Sequence, residues 1–190
     1  MELEGYAEGG FVEIVSTDKI QWARDIQPFF LATYLIIAIH LFYYFTGNIA
    51  APMFVSQSFT LLSHVTGSEN WSDYKNISRK SERAFFNDKR FYVPLYMTVA
   101  SGTLSWIWAL CLFSDDVQFN SYYLKTVRPQ NWTQYGVLVY ALAFISSLQT
   151  QACHELIHRR ESYNKAIGMF GLSQIFYIHF KDEHVAGHHK

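Results

Sequence analysis

The 190-residue chain has few cysteines, few prolines and few charged residues. Its two cysteines, Cys111 and Cys153, cannot build a disulfide framework. The formal net charge of −1 offers no basic surface, so we expect no nucleic-acid partner. Charged residues make up 16% of the chain, whereas half of the residues are hydrophobic and 18% are aromatic. This composition is too apolar for an ordinary soluble domain and indicates a protein of the lipid bilayer.

Four uncharged runs predict an all-α integral membrane fold, a bundle of about four transmembrane helices. The runs cover residues 28–46, 49–65, 91–113 and 134–151. The second run is the weakest because it contains Pro52, Gln57 and His64. Residues 1–27 form a polar N-terminal segment without the features of a signal peptide. We therefore predict one membrane domain over residues 28–190.

The distribution of basic residues predicts the orientation of this bundle. With four spans, residues 1–27, 67–90 and 154–190 share one side, and they hold 13 of the 15 lysines and arginines. The positive-inside rule places that side in the cytoplasm or an equivalent matrix, such as that of mitochondria if the chain is a complex subunit of the inner membrane. The apolar stretch 166–180 is too short to cross, so we expect an interfacial or re-entrant helix there.

Six of the eight histidines lie between positions 154 and 189, in the motifs HELIH and EHVAGHH and singly between them. Residues four apart share one face of a helix, so each motif can present two imidazoles to one metal. Neutral imidazole is the commonest protein ligand for redox and Lewis-acid metals. We interpret the motifs as two halves of one metal centre on helix extensions at the cytoplasmic side. The candidate ligands are His154, His158, His184, His188 and His189.

One motif and several single residues also allow other interpretations. HELIH alone matches the helix of a zinc peptidase, in which the glutamate is the general base. The second motif supplies more imidazoles than a tetrahedral zinc with an open position uses, so an iron-type site is favoured and a membrane zinc protease is the remote alternative. His40 and His64 each stand alone in an apolar run and are expected to be hydrogen-bonded core residues. Cys153 is expected to be a small buried helix residue rather than a soft metal ligand.

The segments HELIHRR and YIHFKDEHVAGHHK resemble the first two histidine boxes of the integral-membrane alkane monooxygenases and their xylene monooxygenase relatives. These enzymes belong to the wider membrane desaturase and hydroxylase superfamily. Their patterns are HELxHK and a segment like YGHFxxEHxxGHH. The upstream segment NDKRFYVPLY is similar to a family segment that enters a membrane span. The resemblance covers most of residues 28–190.

The resemblance implies a non-heme di-iron monooxygenase that hydroxylates the terminal carbon of an alkane or a similar alkyl chain. It implies electrons from a donor such as rubredoxin and makes the five candidate histidines iron ligands. Glu155 and Glu183 would accept the remaining imidazole N–H groups, although both could also be solvated carboxylates on a helix face. His179 matches a family position near the site that has no ligand role.

The sequence departs from the family pattern after the second box. Family members continue with a further membrane segment and boxes resembling NYxEHYGL and LQRHxDHH, whereas this sequence stops at Lys190. Three explanations compete: a fragment of a longer protein, a split enzyme whose second chain supplies the missing boxes, or a catalytically inactive, oxygenase-derived structural subunit of a larger membrane complex. We expect one of the first two, because the candidate ligands are intact.

Overall fold

A computed structural model describes residues 26–48, 50, 54–58, 61–62, 88–113 and 128–188. All regular structure in these ranges is helical, as predicted. A 3-10 helix, Gln27–Phe30, leads into α1 (Leu31–Thr46), and a second one, Lys89–Phe91, leads into α2 (Tyr92–Phe113). The chain continues with α3 (Trp132–Ile157) and α4 (Ser162–Gln174). A short helix, α5 (Phe180–Asp182), then runs directly into a π-helix, Glu183–His188.

Among the described residues, two helices are long and apolar enough to cross a membrane. They are Lys89–Phe113 and Trp132–Ile157, and they contain the predicted runs 91–113 and 134–151. The apolar helix α1 has 16 residues and is shorter than predicted, because Pro28 lies in the 3-10 turn and the α-helix begins at Leu31. Of the run 49–65, only residues 50, 54–58 and 61–62 are described. The four-span count and the cytoplasmic side therefore stay predictions.

Buried polar pairs fix the register of α1 against α2. Thr33 Oγ1 lies 2.9 Å from Thr98 Oγ1, and His40 Nε2 lies 2.7 Å from Ser105 Oγ. Both pairs are 65 positions apart in sequence, so the two helices run parallel. His40 is hydrogen-bonded, as predicted, whereas His64 lies outside the described residues.

Helix α3 packs antiparallel to α2. The Arg159 guanidinium, just beyond α3, lies 5.0 Å from the centre of the Tyr92 ring at the start of α2. Midway along both helices, a Cβ on Gly102 would lie 2.1 Å from Gln149 Oε1, so any larger residue would displace the Gln149 side chain. Towards the other end, α1 joins them in an apolar cluster formed by Tyr43, Ala109, Leu112, Leu138 and Leu142.

Helix α4 runs back along the C-terminal half of α3. A Cβ on Gly171 would lie 2.3 Å from Cys153 Sγ, and Cys153 is fully buried, which confirms the prediction of a small packed residue. The predicted helix over 166–180 has the wrong bounds, because α4 ends at Gln174. There Tyr177 N donates to Leu172 O and Phe176, at φ 57°, turns the chain back.

Candidate metal centre

The end of α3 presents two imidazoles to one point. His154 lies in the last turn of α3 and His158 is its C-terminal cap, so the spacing of four places both rings on one face. Their Nε2 atoms are 3.2 Å apart and their ring centres 4.7 Å apart. His154 is half-buried and His158 is exposed. HELIH therefore acts as a two-imidazole unit that faces out of the bundle.

The third imidazole comes from the π-helix. His184 Nε2 lies 2.8 Å from His154 Nε2, and the His184 ring centre is 4.6 Å from that of His154 and 5.1 Å from that of His158. One ring nitrogen from each residue lies within 4.8 Å of the other two. Single π-helical turns occur frequently at functional sites. The two sequence motifs thus meet in one triangular cluster, which we call the histidine cluster (His154, His158 and His184).

The spacing of the ring nitrogens suits a shared metal ion. At metal–nitrogen distances of about 2.1 Å, two ligands at a right angle have nitrogens about 3.0 Å apart. The observed separations of 2.8 and 3.2 Å from His154 bracket that value. A neutral imidazole has one donor and one acceptor nitrogen, so His154 Nε2 is poorly placed to serve two neighbours as an ordinary hydrogen bond. The donor set fits iron, and equally other metals that take imidazole.

Glu155 supports the first histidine of the cluster. Its Oε1 lies 3.3 Å from His154 Nδ1, and its Oε2 lies 4.0 Å from a terminal nitrogen of Arg159. A carboxylate at Nδ1 favours the tautomer with the proton on Nδ1, which leaves the Nε2 lone pair pointing into the cluster. Arg159, which the sequence analysis did not single out, lies at the outer limit of ion-pair distance from this carboxylate. Its spacing of four from Glu155 was the available signal.

Aromatic rings cover one side of the cluster. Phe180 stacks on His184 with ring centres 4.9 Å apart and an interplanar angle of 16°. The same ring lies 5.8 Å from His154, and Tyr177 stacks on its other face at 5.1 Å. This stack restricts the rotation of His184 and shields the imidazole from water on that side.

The remaining predicted residues have different outcomes. His188 is in the π-helix but its side chain is outside the described part, as is all of His189. Glu183 is exposed and, within the described residues, makes no side-chain bond to the histidine cluster. His179 is exposed and contacts Tyr177 edge-on at 5.0 Å, away from the cluster. Their predicted roles stay predictions.

A polar relay anchors the start of α4 beside the site. The Tyr96 hydroxyl donates to Asn164 Oδ1, and Asn164 Nδ2 donates to Glu161 Oε2 at 3.0 Å. Hydrogen bonds from its own backbone N–H and from Asn164 lower the pKa of the Glu161 carboxyl. Asn164 is fully buried, so the relay locks α4 against α2. Tyr96 ends the segment NDKRFYVPLY, whereas no sequence motif marked Asn164 or Glu161.

Comparison with known proteins gives one partial similarity. A stretch of 63 residues, 33% of this chain, is 32% identical to an alkane 1-monooxygenase from Ectopseudomonas oleovorans. The aligned stretch spans only 16% of that protein. No family model matches the chain, and no solved structure matches it.

Proposed function

We propose that this chain contributes the first two histidine boxes of a membrane non-heme di-iron monooxygenase. The enzyme hydroxylates the terminal carbon of an alkane or a similar alkyl chain. The observation that carries the proposal is the convergence of His154, His158 and His184 on one point from two separate sequence motifs. The similarity to an alkane 1-monooxygenase supports iron as the metal and alkyl chains as the substrate class.

The surface of the helices supports a location in the bilayer. Large apolar side chains are exposed along α1 and α2, including Phe45 at 78%, Leu104 at 66% and Leu110 at 62%. A soluble monomer rarely exposes apolar patches of more than a few hundred Å², whereas lipid solvates them. We propose a multi-pass protein with the histidine cluster on the cytoplasmic or matrix side, where 13 of the 15 basic residues fall in a four-span arrangement.

Each residue of the site has a role in this proposal. The Nε2 atoms of the three histidines bind iron, and Glu155 holds the His154 ring in the ligating tautomer. Phe180 fixes His184 by stacking and excludes water from that side. Bound iron supplies the activation of dioxygen. The exposed edge at His158 leaves room for a soluble electron donor such as rubredoxin to approach.

The site needs more ligands than the histidine cluster provides. Three imidazoles can hold one iron with open positions, whereas a histidine-rich pair of irons requires more ligands. His188 and His189 are the nearest candidates in sequence, and we propose that further histidines come from additional sequence or a second chain. A substrate alkyl chain would then lie in an apolar cavity between the two sets of helices.

Metal content is the first test of this proposal. The full chain is purified from its native membrane with its copurifying proteins, and metals are measured by elemental analysis beside conversion of octane to octanol. We expect about two irons per chain, and loss of iron and of octanol formation in His154→Ala and His184→Ala. His179→Ala is the matched control, because this exposed histidine lies outside the cluster.

The alternatives give distinct results. Stoichiometric zinc with peptidase activity that depends on Glu155 would indicate a zinc protease. A preparation without metal, whose partner complex still assembles and works, would indicate a structural subunit derived from an oxygenase. Equal iron in the wild type and in His184→Ala would contradict the proposed ligand set.

A further inference from the structure

A groove opens between α1 and α2, away from the histidine cluster. Its volume is about 410 Å³, within the usual range for small-molecule sites. It extends along α2 to Trp108, 16 residues beyond Tyr92 and therefore roughly 24 Å from the end that packs beside Arg159. The residues that matter for its chemistry are Ile36, Ile37, His40, Ser101, Leu104 and Trp108.

Hydrogen bonds fix the tautomer of His40. The Ser105 hydroxyl donates to Ser101 O at 2.8 Å, so its single proton is already used. Ser105 Oγ therefore accepts from His40 Nε2, 2.7 Å away. A neutral imidazole with its proton on Nε2 has an acceptor at Nδ1. Within the described residues no donor bonds that nitrogen, so His40 brings a hydrogen-bond acceptor to a mostly apolar groove, whose other polar lining residues are Tyr44 and Ser101.

A second acceptor lies on the opposite wall. The Ser101 hydroxyl donates to Thr98 O at 3.0 Å, which leaves the lone pairs of its oxygen available. The Trp108 ring contacts the His40 ring edge-on, with the two ring centres 4.8 Å apart. It closes the groove on one side of His40. Within the part of the chain that the structure describes, no lysine, arginine or carboxylate lines the groove. A polar acceptor in apolar surroundings favours a ligand that brings a donor.

We propose that this groove binds a straight-chain primary alcohol whose hydroxyl donates to His40 Nδ1. The alkyl chain lies between the parallel helices against Ile36, Ile37 and Leu104. The lined stretch of α1 from Ile36 to His40 is roughly 6 Å long and holds the carbons nearest the hydroxyl. This site is separate from the proposed metal centre and does not depend on iron.

The groove chemistry argues against the other common lipids. An alkane has no group for the two acceptors, and esters or ethers bring only further acceptors. An ionised fatty acid or amine would enter a site without a compensating charge, which is strongly unfavourable in apolar surroundings. A neutral hydroxyl is the headgroup that satisfies His40 without introducing a charge.

Trp108 makes the site directly measurable. The full chain is placed in nanodiscs of phosphatidylcholine, whose lipids have no hydroxyl donor, and is titrated with 2-bromoundecan-1-ol, whose bromine lies next to the hydroxyl, or with its methyl ether. Bromine quenches tryptophan fluorescence on contact, and the difference from Trp108→Phe isolates the signal of this residue. We expect saturable quenching by the alcohol at a concentration about tenfold lower than for the ether. Equal quenching by both probes in the wild type would overturn the proposal.

Variants test whether the preference for the alcohol over the ether arises in the groove. His40→Phe keeps an aromatic ring beside Trp108 but removes the acceptor, so the alcohol should lose its advantage over the ether. Leu104→Phe should weaken binding of both probes by narrowing the groove, whereas Leu110→Phe is the matched control. Both leucines are exposed on α2, but Leu110 does not line the groove.

Three outcomes count against the alcohol site. They are an unchanged preference in a folded His40→Phe chain, equal effects of the two leucine variants, and saturation by the brominated alkane as readily as by the alcohol. If His40→Phe fails to fold, the wild-type comparison of alcohol with ether and the leucine pair decide the question alone.

Discussion

The Nε2 atoms of His154 and His184 lie 2.8 Å apart, although 30 residues separate the two histidines in the sequence. Helix α4 and its terminal turn bring them together, since α4 descends along α3 and the chain then reverses at Phe176. The histidine cluster therefore depends on packing remote from its three imidazoles. Changes that loosen α4 should disturb the histidine cluster without touching an imidazole.

Glu155 should control metal affinity through His154. In Glu155→Gln the carboxylate that faces His154 Nδ1 at 3.3 Å becomes a neutral amide, so the ligating tautomer is less favoured. Losing such a supporting carboxylate typically weakens metal binding 10–100-fold, and we expect a loss of about that size. Iron or cobalt titration of the purified chain measures it. Asp182→Asn, an exposed acid on α5, should leave the affinity unchanged.

The sequence predicted the helices that consist of a continuous apolar run. The helix ends that it did not predict have physical reasons. Helix α3 could be followed through HELIH because no turn residue interrupts it. The end of α4 could not be predicted, because Phe176 adopts the left-handed conformation there, at a position where glycine is usual.

The candidate site was predictable in its chemistry but less so in its form. The histidines in both motifs indicated that the two motifs would meet at one site. His154 and His158 from the first motif and His184 from the second do lie together. A spacing of four does not distinguish an α-helix from the π-helix that presents His184. The groove at His40 had no signal, because its acceptor results from the direction of one serine proton.

Gly171 should be intolerant of a methyl group. In Gly171→Ala the new Cβ would lie 2.3 Å from Cys153 Sγ, so α4 must move away from α3. We expect a loss of about 1–3 kcal/mol in the free energy of unfolding, measured by denaturation in mixed micelles, together with weaker metal binding. Cys153→Ala should partly rescue the variant by removing the clashing sulfur.

Gly136→Ala is the control for that substitution. A Cβ on Gly136 meets nothing within 4 Å, and the residue lies inside α3, where alanine is the better helix former. We expect a gain of about 0.5–1 kcal/mol. A Gly171→Ala chain as stable as the Gly136→Ala chain would contradict the close packing of α4 on α3.

The relay from Tyr96 to Asn164 should stabilise the bundle cooperatively. Asn164→Ala leaves the Tyr96 hydroxyl without its acceptor inside the protein, and we expect a loss of about 1–3 kcal/mol. Tyr96→Phe should lose less free energy of unfolding than Asn164→Ala. The double variant should lose less than the sum of the two single variants. Thermal unfolding followed by circular dichroism measures the cycle. Tyr135→Phe should be nearly neutral, because it keeps the ring that contacts Phe113 and Trp132. Additive losses would show that the two side chains act separately.

Asp88 should make stability depend on pH at the start of α2. Its carboxylate accepts from Arg90, which lowers the pKa of Asp88 below its ordinary value of 3.8. A lowered pKa in the folded state means that this stabilisation is present above pH 3.8 and is lost as the pH falls through the lower value. We expect a contribution of no more than about 1 kcal/mol, because Arg90 is largely exposed.

The pH profile of unfolding separates the two roles of Asp88. Its side chain also accepts from Arg90 N and caps the 3-10 helix. Asp88→Asn keeps that acceptor and should remove only the pH-dependent part, whereas Asp88→Ala should lose both. A wild-type chain whose acid dependence equals that of Asp88→Asn would contradict the effect of Arg90.

Phe176→Gly should stabilise the protein. Phe176 occupies the left-handed region at φ 57°, where a side chain costs about 1–2 kcal/mol that glycine does not pay. The ring is 89% exposed, so little packing is lost, and the backbone bonds that end α4 remain available. We expect a gain of about 1 kcal/mol in the free energy of unfolding, with the histidine cluster unchanged. Phe176→Ala is the control, because it removes the ring but keeps the strained backbone. If glycine and alanine destabilised the chain equally, the exposed ring itself would be stabilising, through contact with lipid or with another chain.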